Sequence, residues 1–286
     1  MDGKTKLNQE HFDNEAADYD AKHEKTTAEI ARRIEARRGL IGVEWIEDDS
    51  SDDEGGSTTT DTTPARAVRV LDYACGTGSM SRAFAPYTTQ CVGIDLSEKM
   101  VGAYNTRARN QGLSEDEMAA FHGNLCVPGD EDPEAFRDGR FFGFDLAVVG
   151  LGFHHFDDPD LAARRLVARL RPGGVLMIID FLPHAPHGSG SPGGHSHGHH
   201  HHHHHDDSSS QAHGHDGHNN DVFAHEDVVE KALRTVTHHG FSEERIREVF
   251  VGAGAGKGFA LDDMGQVSFG EKHGKRTLFM ARGTKE

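Results

Sequence analysis

The chain holds 286 residues, enough for one large domain with a core of enzyme size after its polar stretches are set aside. Asp and Glu outnumber Lys and Arg by 47 to 30, a formal net charge of −17 that disfavours a phosphate-backbone ligand, so no nucleic-acid partner is expected. The three cysteines, Cys75, Cys91 and Cys126, show no CxxC spacing, which argues against a disulfide framework or a zinc site and for a reducing, cytoplasmic setting.

The first residues, MDGKTKLNQEHFDNE, lack the apolar run of a signal peptide. The longest apolar run, Val175 to Leu182, is interrupted by Asp180 and falls short of the roughly 20 residues that span a bilayer. No membrane span is expected. Residues 1–43 read as a helical segment, with helix from Phe12 to about Arg38, a turn near Tyr19, inward-facing Ile30, Ile34 and Leu40, and Gly39 as its stop. Residues 44–64 turn to acids, serine, threonine and glycine, which bury too little apolar surface to offset chain entropy, and are expected to be a disordered loop.

From residue 65 to 286 the pattern is that of a core domain. Val68–Tyr73 reads as a buried strand, followed by a glycine turn and a helix through Met80 to Phe84. Gln90–Asp95 is the second strand, and Ser97 caps a helix with Met100, Tyr104 and Ala108 on one face. Ala119–His122 and Phe144–Gly150 are the third and fourth strands. Asp158 and Pro159 start a helix in which Ala163, Val167 and Leu170 face inward, Pro172 to Gly174 end it, and Val175–Phe181 forms the fifth strand. Residues 184–220, with a run of histidines, carry no apolar periodicity and are expected to be a disordered insertion. A helix is expected to resume at Val222, and another to run from Ser242 to near Gly252. Two last strands lie within Gly258–Phe269 and Lys275–Arg282, as an antiparallel pair at the sheet edge. Short buried strands alternating with amphipathic helices predict an α/β, Rossmann-like fold: a mostly parallel seven-stranded sheet, helices on both faces, and an antiparallel last strand. Ligands of such a sheet bind at the carboxyl ends of its strands.

At those ends stand the residues that carry chemistry. In VLDYACGTG, from Val70 to Gly78, the glycines let backbone N–H groups approach a ligand. Asp72 would repel a pyrophosphate and attract an ammonium group. Asp95, ending the second strand, suits both hydroxyls of a ribose, Asn124 an adenine edge, and Gly150 with Leu151 leave room for close approach.

These motifs resemble the class I S-adenosylmethionine-dependent methyltransferases, in particular the type 11 or ubiquinone-biosynthesis-like small-molecule group. VLDYACGTG is similar to the family's first motif, VGIDLSEKMV (Val92–Val101) to its second, FDLAVVGLGFHHFDDP and LRPGGVLMIID to the fourth-strand and fifth-strand motifs, and FDNEAADYD (Phe12–Asp20) to its N-terminal segment. The resemblance implies transfer of a methyl group from S-adenosyl-L-methionine to a small-molecule acceptor. It implies cofactor contacts from Tyr19, Asp72, Ala74, Gly76, Gly78, Asp95, Leu96, Met100, Asn124, Leu125, Gly150 and Leu151, with Tyr19 over the methionine part. No metal is needed for that step. His154 and His155 are the candidates for a general base, the alternative being that the pair packs and orients its loop.

Two other readings compete. A nicotinamide dinucleotide enzyme wants a third glycine where Ser81 stands, and its pyrophosphate would meet Asp72. A silent methyltransferase-like binding protein would work through the His-rich tract, whose imidazoles can hold Zn, Ni or Cu weakly but lack fixed geometry.

Overall fold

The computed structural model describes residues 3–46, 66–184, 235–269 and 274–286. The expected acidic loop and the His-rich insertion, apart from their outermost residues, lie outside the described residues, as does the helix expected from Val222 as far as residue 234.

Five strands run parallel: β1 (Arg69–Tyr73), β2 (Gln90–Asp95), β3 (Met118–His122), β4 (Phe144–Gly150) and β5 (Leu170–Phe181). With β6 (Lys257–Ser268) and β7 (Lys275–Thr284) they form a seven-stranded sheet in the order β3-β2-β1-β4-β5-β7-β6. β7 is antiparallel to both of its neighbours, so the last two strands close one edge as a pair. The expected fold class is the observed one.

β1, β2, β4 and the second half of β5 are buried along nearly their whole length because both of their faces are covered, whereas the edge strand β6 is buried only at Met264 and Val267. Side chains alternate across the sheet, and the alternation sorts them into two cores. Leu71, Ala147, Val149, Leu176 and Ile178 pack on one side. α6 (Pro159–Arg169) and α7 (Glu243–Gly252) cover it with Ala162, Leu166, Ile246 and Phe250. Val70, Leu146, Val148, Met177 and Ile179 pack on the other side. There α2 (Tyr19–Glu35), α4 (Ser79–Phe84) and α5 (Glu98–Asn110) supply Ile30, Ile34, Met80, Phe84 and Tyr104. Side-chain caps begin three of these helices: Ser97 accepts from the Met100 amide, Asp158 from Leu161 and Ser242 from Arg245.

The N-terminal region departs from expectation in three places. α1 spans Gly3–Glu15, starting well before Phe12, and its one buried residue is the polar Asn8, so no apolar stripe announces it. Leu40 is 56% exposed while Ile41 is fully buried. Gly39 lies inside the short α3 (Arg38–Ile41), and the stop is Gly42, whose φ of 88° is the left-handed conformation a helix end uses. β5 also begins earlier than expected: Leu170 already pairs with Phe144, and the register shifts across Arg171–Gly174 before Val175 pairs with Leu146.

A candidate cofactor and acceptor cavity

β1 lies between β2 and β4, so the crossovers leave the sheet in opposite directions there and open a crevice at the strand ends. A cavity of about 190 Å³ fills that crevice, roofed by α1 and the start of α2.

The turn after β1 forms its floor. Ala74 and Gly76 hold φ of 56° and 52°, and a Cβ on Gly76 would meet no atom within 4 Å, so its backbone faces open space. Gly150, at the end of β4, is needed for packing, since a Cβ there would come within 2.5 Å of the Met80 side chain. Leu151 follows with φ of 58°, its amide bonded to the Ile179 carbonyl at 2.8 Å.

Asp72 is fully buried in this wall. Its Oδ2 accepts from the Ser81 amide at 3.0 Å and the Ser81 hydroxyl at 2.7 Å, while Oδ1 has no partner. Burial pushes its carboxyl up to about 7 against the two bonds from Ser81. Asp95 accepts the Gly76 amide on Oδ2 and the Ser97 amide on Oδ1, each at 2.8 Å. Burial raises its pKa too, opposed by those two bonds. One lone pair on each oxygen is left, as a diol would require.

Asn124 is more constrained than its position in the sequence implies. Its Oδ1 already accepts from the Tyr73 hydroxyl at 2.9 Å and the Cys126 amide at 2.7 Å, which leaves its NH₂ group to face a ligand. The Tyr73 hydroxyl also receives the Leu125 amide at 3.2 Å. Tyr19, Leu96 and Met100 line the cavity with these residues; burial, then the charge of Asp95, pushes the Tyr19 hydroxyl up to about 12.

Three of the predicted residues do not line the cavity. Gly78 caps α4 against the Tyr104 ring, Leu125 is buried in the core, and His154 stands behind the wall. The two histidines therefore have different surroundings. His154 Nδ1 meets both oxygens of the fully buried Asp180, at 2.9 and 3.1 Å, and its amide donates to the same carboxylate at 3.0 Å. His155 lines the cavity, and its Nδ1 lies 2.9 Å from the Thr235 carbonyl. A carbonyl only accepts, so the hydrogen is on Nδ1 and Nε2 carries a lone pair. Burial and the adjacent His154 hold the His155 pKa well below that of free imidazole.

Sequence reasoning missed what fixes the roof. Asp13 accepts the Ser97 hydroxyl at 2.6 Å, and Asp20 accepts the Thr77 hydroxyl at 2.7 Å while pairing with Arg107. Both acids stand in the FDNEAADYD segment, so a signal for them was present. Asn8, Tyr73 and Asp180 act only through tertiary contacts. Among the described residues no group of three or more His, Cys, Asp or Glu could hold a metal ion, and no helix is long and apolar enough to cross a membrane.

Comparison with known proteins places this geometry in context. A family model described as a methyltransferase domain matches residues 18–236. An uncharacterized methyltransferase of Schizosaccharomyces pombe is 33% identical over 113 residues, 40% of this chain and 38% of that protein. A ubiquinone biosynthesis O-methyltransferase of Rhizobium etli is 30% identical over 115 residues, 40% of this chain and 42% of the relative. The chain thus spans about two fifths of the length of these curated relatives. Among solved structures, a chain of the Haloferax volcanii complex that contains the Trm112 methyltransferase activator shares the fold, with a TM-score of 0.54 at 16% identity over 96% of both chains.

Proposed function

The chain belongs to the methyltransferase-domain family of S-adenosylmethionine-dependent enzymes, and from that premise we propose that it transfers a methyl group to a small-molecule acceptor by in-line displacement. The observation that carries this reading is Asp72, a buried carboxylate with an unpartnered oxygen in the wall of a cavity whose described lining contains no Lys or Arg. A pyrophosphate would be repelled there, whereas an ammonium group supplies the missing donor.

Asp72 would take the amino group of the cofactor and Asp95 its ribose hydroxyls. The Asn124 NH₂ would donate to a ring nitrogen of adenine, with Leu96 and Met100 as apolar walls. Ala74, Gly76, Gly150 and Leu151 bring backbone close to the ligand, Tyr19 closes over the methionine part, and Gly78 and Leu125 support the turn and strand from behind. Bound there, S-adenosylmethionine supplies a methyl group activated by its sulfonium.

The protein's own task is to position the nucleophile and exclude water, and positioning of this kind contributes about 7–11 kcal/mol. His155 Nε2 is the group that accepts the proton of a hydroxyl nucleophile, or of an ammonium group whose amine attacks once that proton has left. His154 holds the loop through Asp180 and does not face the reacting atoms. The test is incubation of the full chain with methyl-labelled cofactor and cell extract: a labelled small metabolite is expected, and label confined to macromolecules, or none at all, refutes the proposal.

A further inference from the structure

We propose that the acceptor end of the cavity selects a neutral or cationic molecule that donates hydrogen bonds, an alcohol, phenol or amine, and that Asn8 receives one of those hydrogens. The inference rests on the methyltransferase reading of the same site.

Asn8 lines the cavity from α1 and is 8% exposed. Its Nδ2 donates to the His155 carbonyl at 3.2 Å, which fixes the amide plane, and its Oδ1 is buried without a partner. A buried carbonyl left unpaired is costly, and a donor on the ligand removes that cost. The neighbouring groups have the same polarity. His155 offers the Nε2 lone pair, and Asp157 and Asp158 add carboxylates to the lining. Four aspartates and no Lys or Arg line the cavity among the described residues, so a phosphate or carboxylate on the substrate would find acids and no counter-charge. Phe12, edge-on to His155 with ring centroids 5.3 Å apart, and Phe156 give the substrate body an apolar or π surface.

The test uses four probes of one size: benzyl alcohol, benzylamine, benzoate and phenyl phosphate. Their binding to the full chain is read by ligand-observed NMR, with and without S-adenosylhomocysteine. The alcohol and amine are expected to bind and the two anions not to. Asn8→Leu is expected to weaken the alcohol and amine roughly two- to tenfold, with S-adenosylhomocysteine affinity unchanged. Asn8→Asp, which keeps acceptors at the position, is expected to favour benzylamine over benzyl alcohol. Equal binding of the anions, absence of binding by both donors, or unchanged donor affinity in Asn8→Leu overturns the inference. Loss of S-adenosylhomocysteine binding alone counts against the methyltransferase reading, because probe selectivity without cofactor still decides this one.

Discussion

Asp72, fully buried, and the half-buried His155 are two titratable groups of the cavity wall whose pKa values are shifted in opposite directions. The folded pKa of Asp72, about 7, lies above its ordinary value of 3.8. Its contribution to stability is therefore fully present below 3.8 and is lost as pH rises toward 7. An ammonium ligand needs the ionised form, so affinity for S-adenosylmethionine is expected to climb, by up to about tenfold per pH unit below 7, and to level off above it; calorimetry across that range reads it. Asp72→Asn removes the charge and should weaken binding by about 1.5–3 kcal/mol and flatten the pH dependence. His155 is shifted the other way and stays neutral at pH 6.5, so the rate at saturating substrate should not fall until well below that pH. His155→Ala is expected to lower kcat roughly a hundredfold while leaving cofactor affinity within twofold; a variant that melts earlier but keeps kcat would make His155 a packing residue. In the sequence Asp72 was legible from its place before the glycines. The difference between His154 and His155 was not, because it depends on Asp180 and Thr235, which stand far along the chain.

The first two helices form a roof held by several side-chain bonds, among them Asn8 to the His155 carbonyl, Thr26 to the Ser268 carbonyl and Arg33 to the Gln266 carbonyl. Two of the ties join an acid to a hydroxyl beside the candidate cofactor turns: Asp13 with Ser97 and Asp20 with Thr77. Ser97 in turn donates its amide to Asp95, so the roof is bonded to the residue that holds the candidate ribose carboxylate in place. Replacing both acids, Asp13→Ala with Asp20→Ala, is expected to raise KM for S-adenosylmethionine roughly three- to thirtyfold, with kcat within twofold and a small change in melting temperature. An unchanged KM would show that these two ties are dispensable for cofactor binding. How well an element could be read followed from how it is buried. β2 and β4 start and end with their apolar runs because both of their faces are covered. α1 extends N-terminal of its sequence signal because Asn8, a polar residue, is what it buries. β5 extends N-terminal of its apolar run because its pairing resumes across the irregularity at 171–174, which looks like a break in one dimension.

Across the molecule, the sequence of residues 184–220 carries no apolar periodicity and so offers no face for packing on the sheet. Deletion of residues 186–219 is therefore expected to leave the melting midpoint and cofactor affinity unchanged in a thermal-shift assay with and without S-adenosylmethionine. A collapsed transition would show that this stretch takes part in the fold. The direct test of the cofactor site is a calorimetric titration of the intact, folded chain with S-adenosylmethionine in the presence of excess NAD. Micromolar binding that NAD does not compete, weakened in Asp72→Asn, is the expected result; no binding by a folded sample, or displacement by NAD, would contradict it.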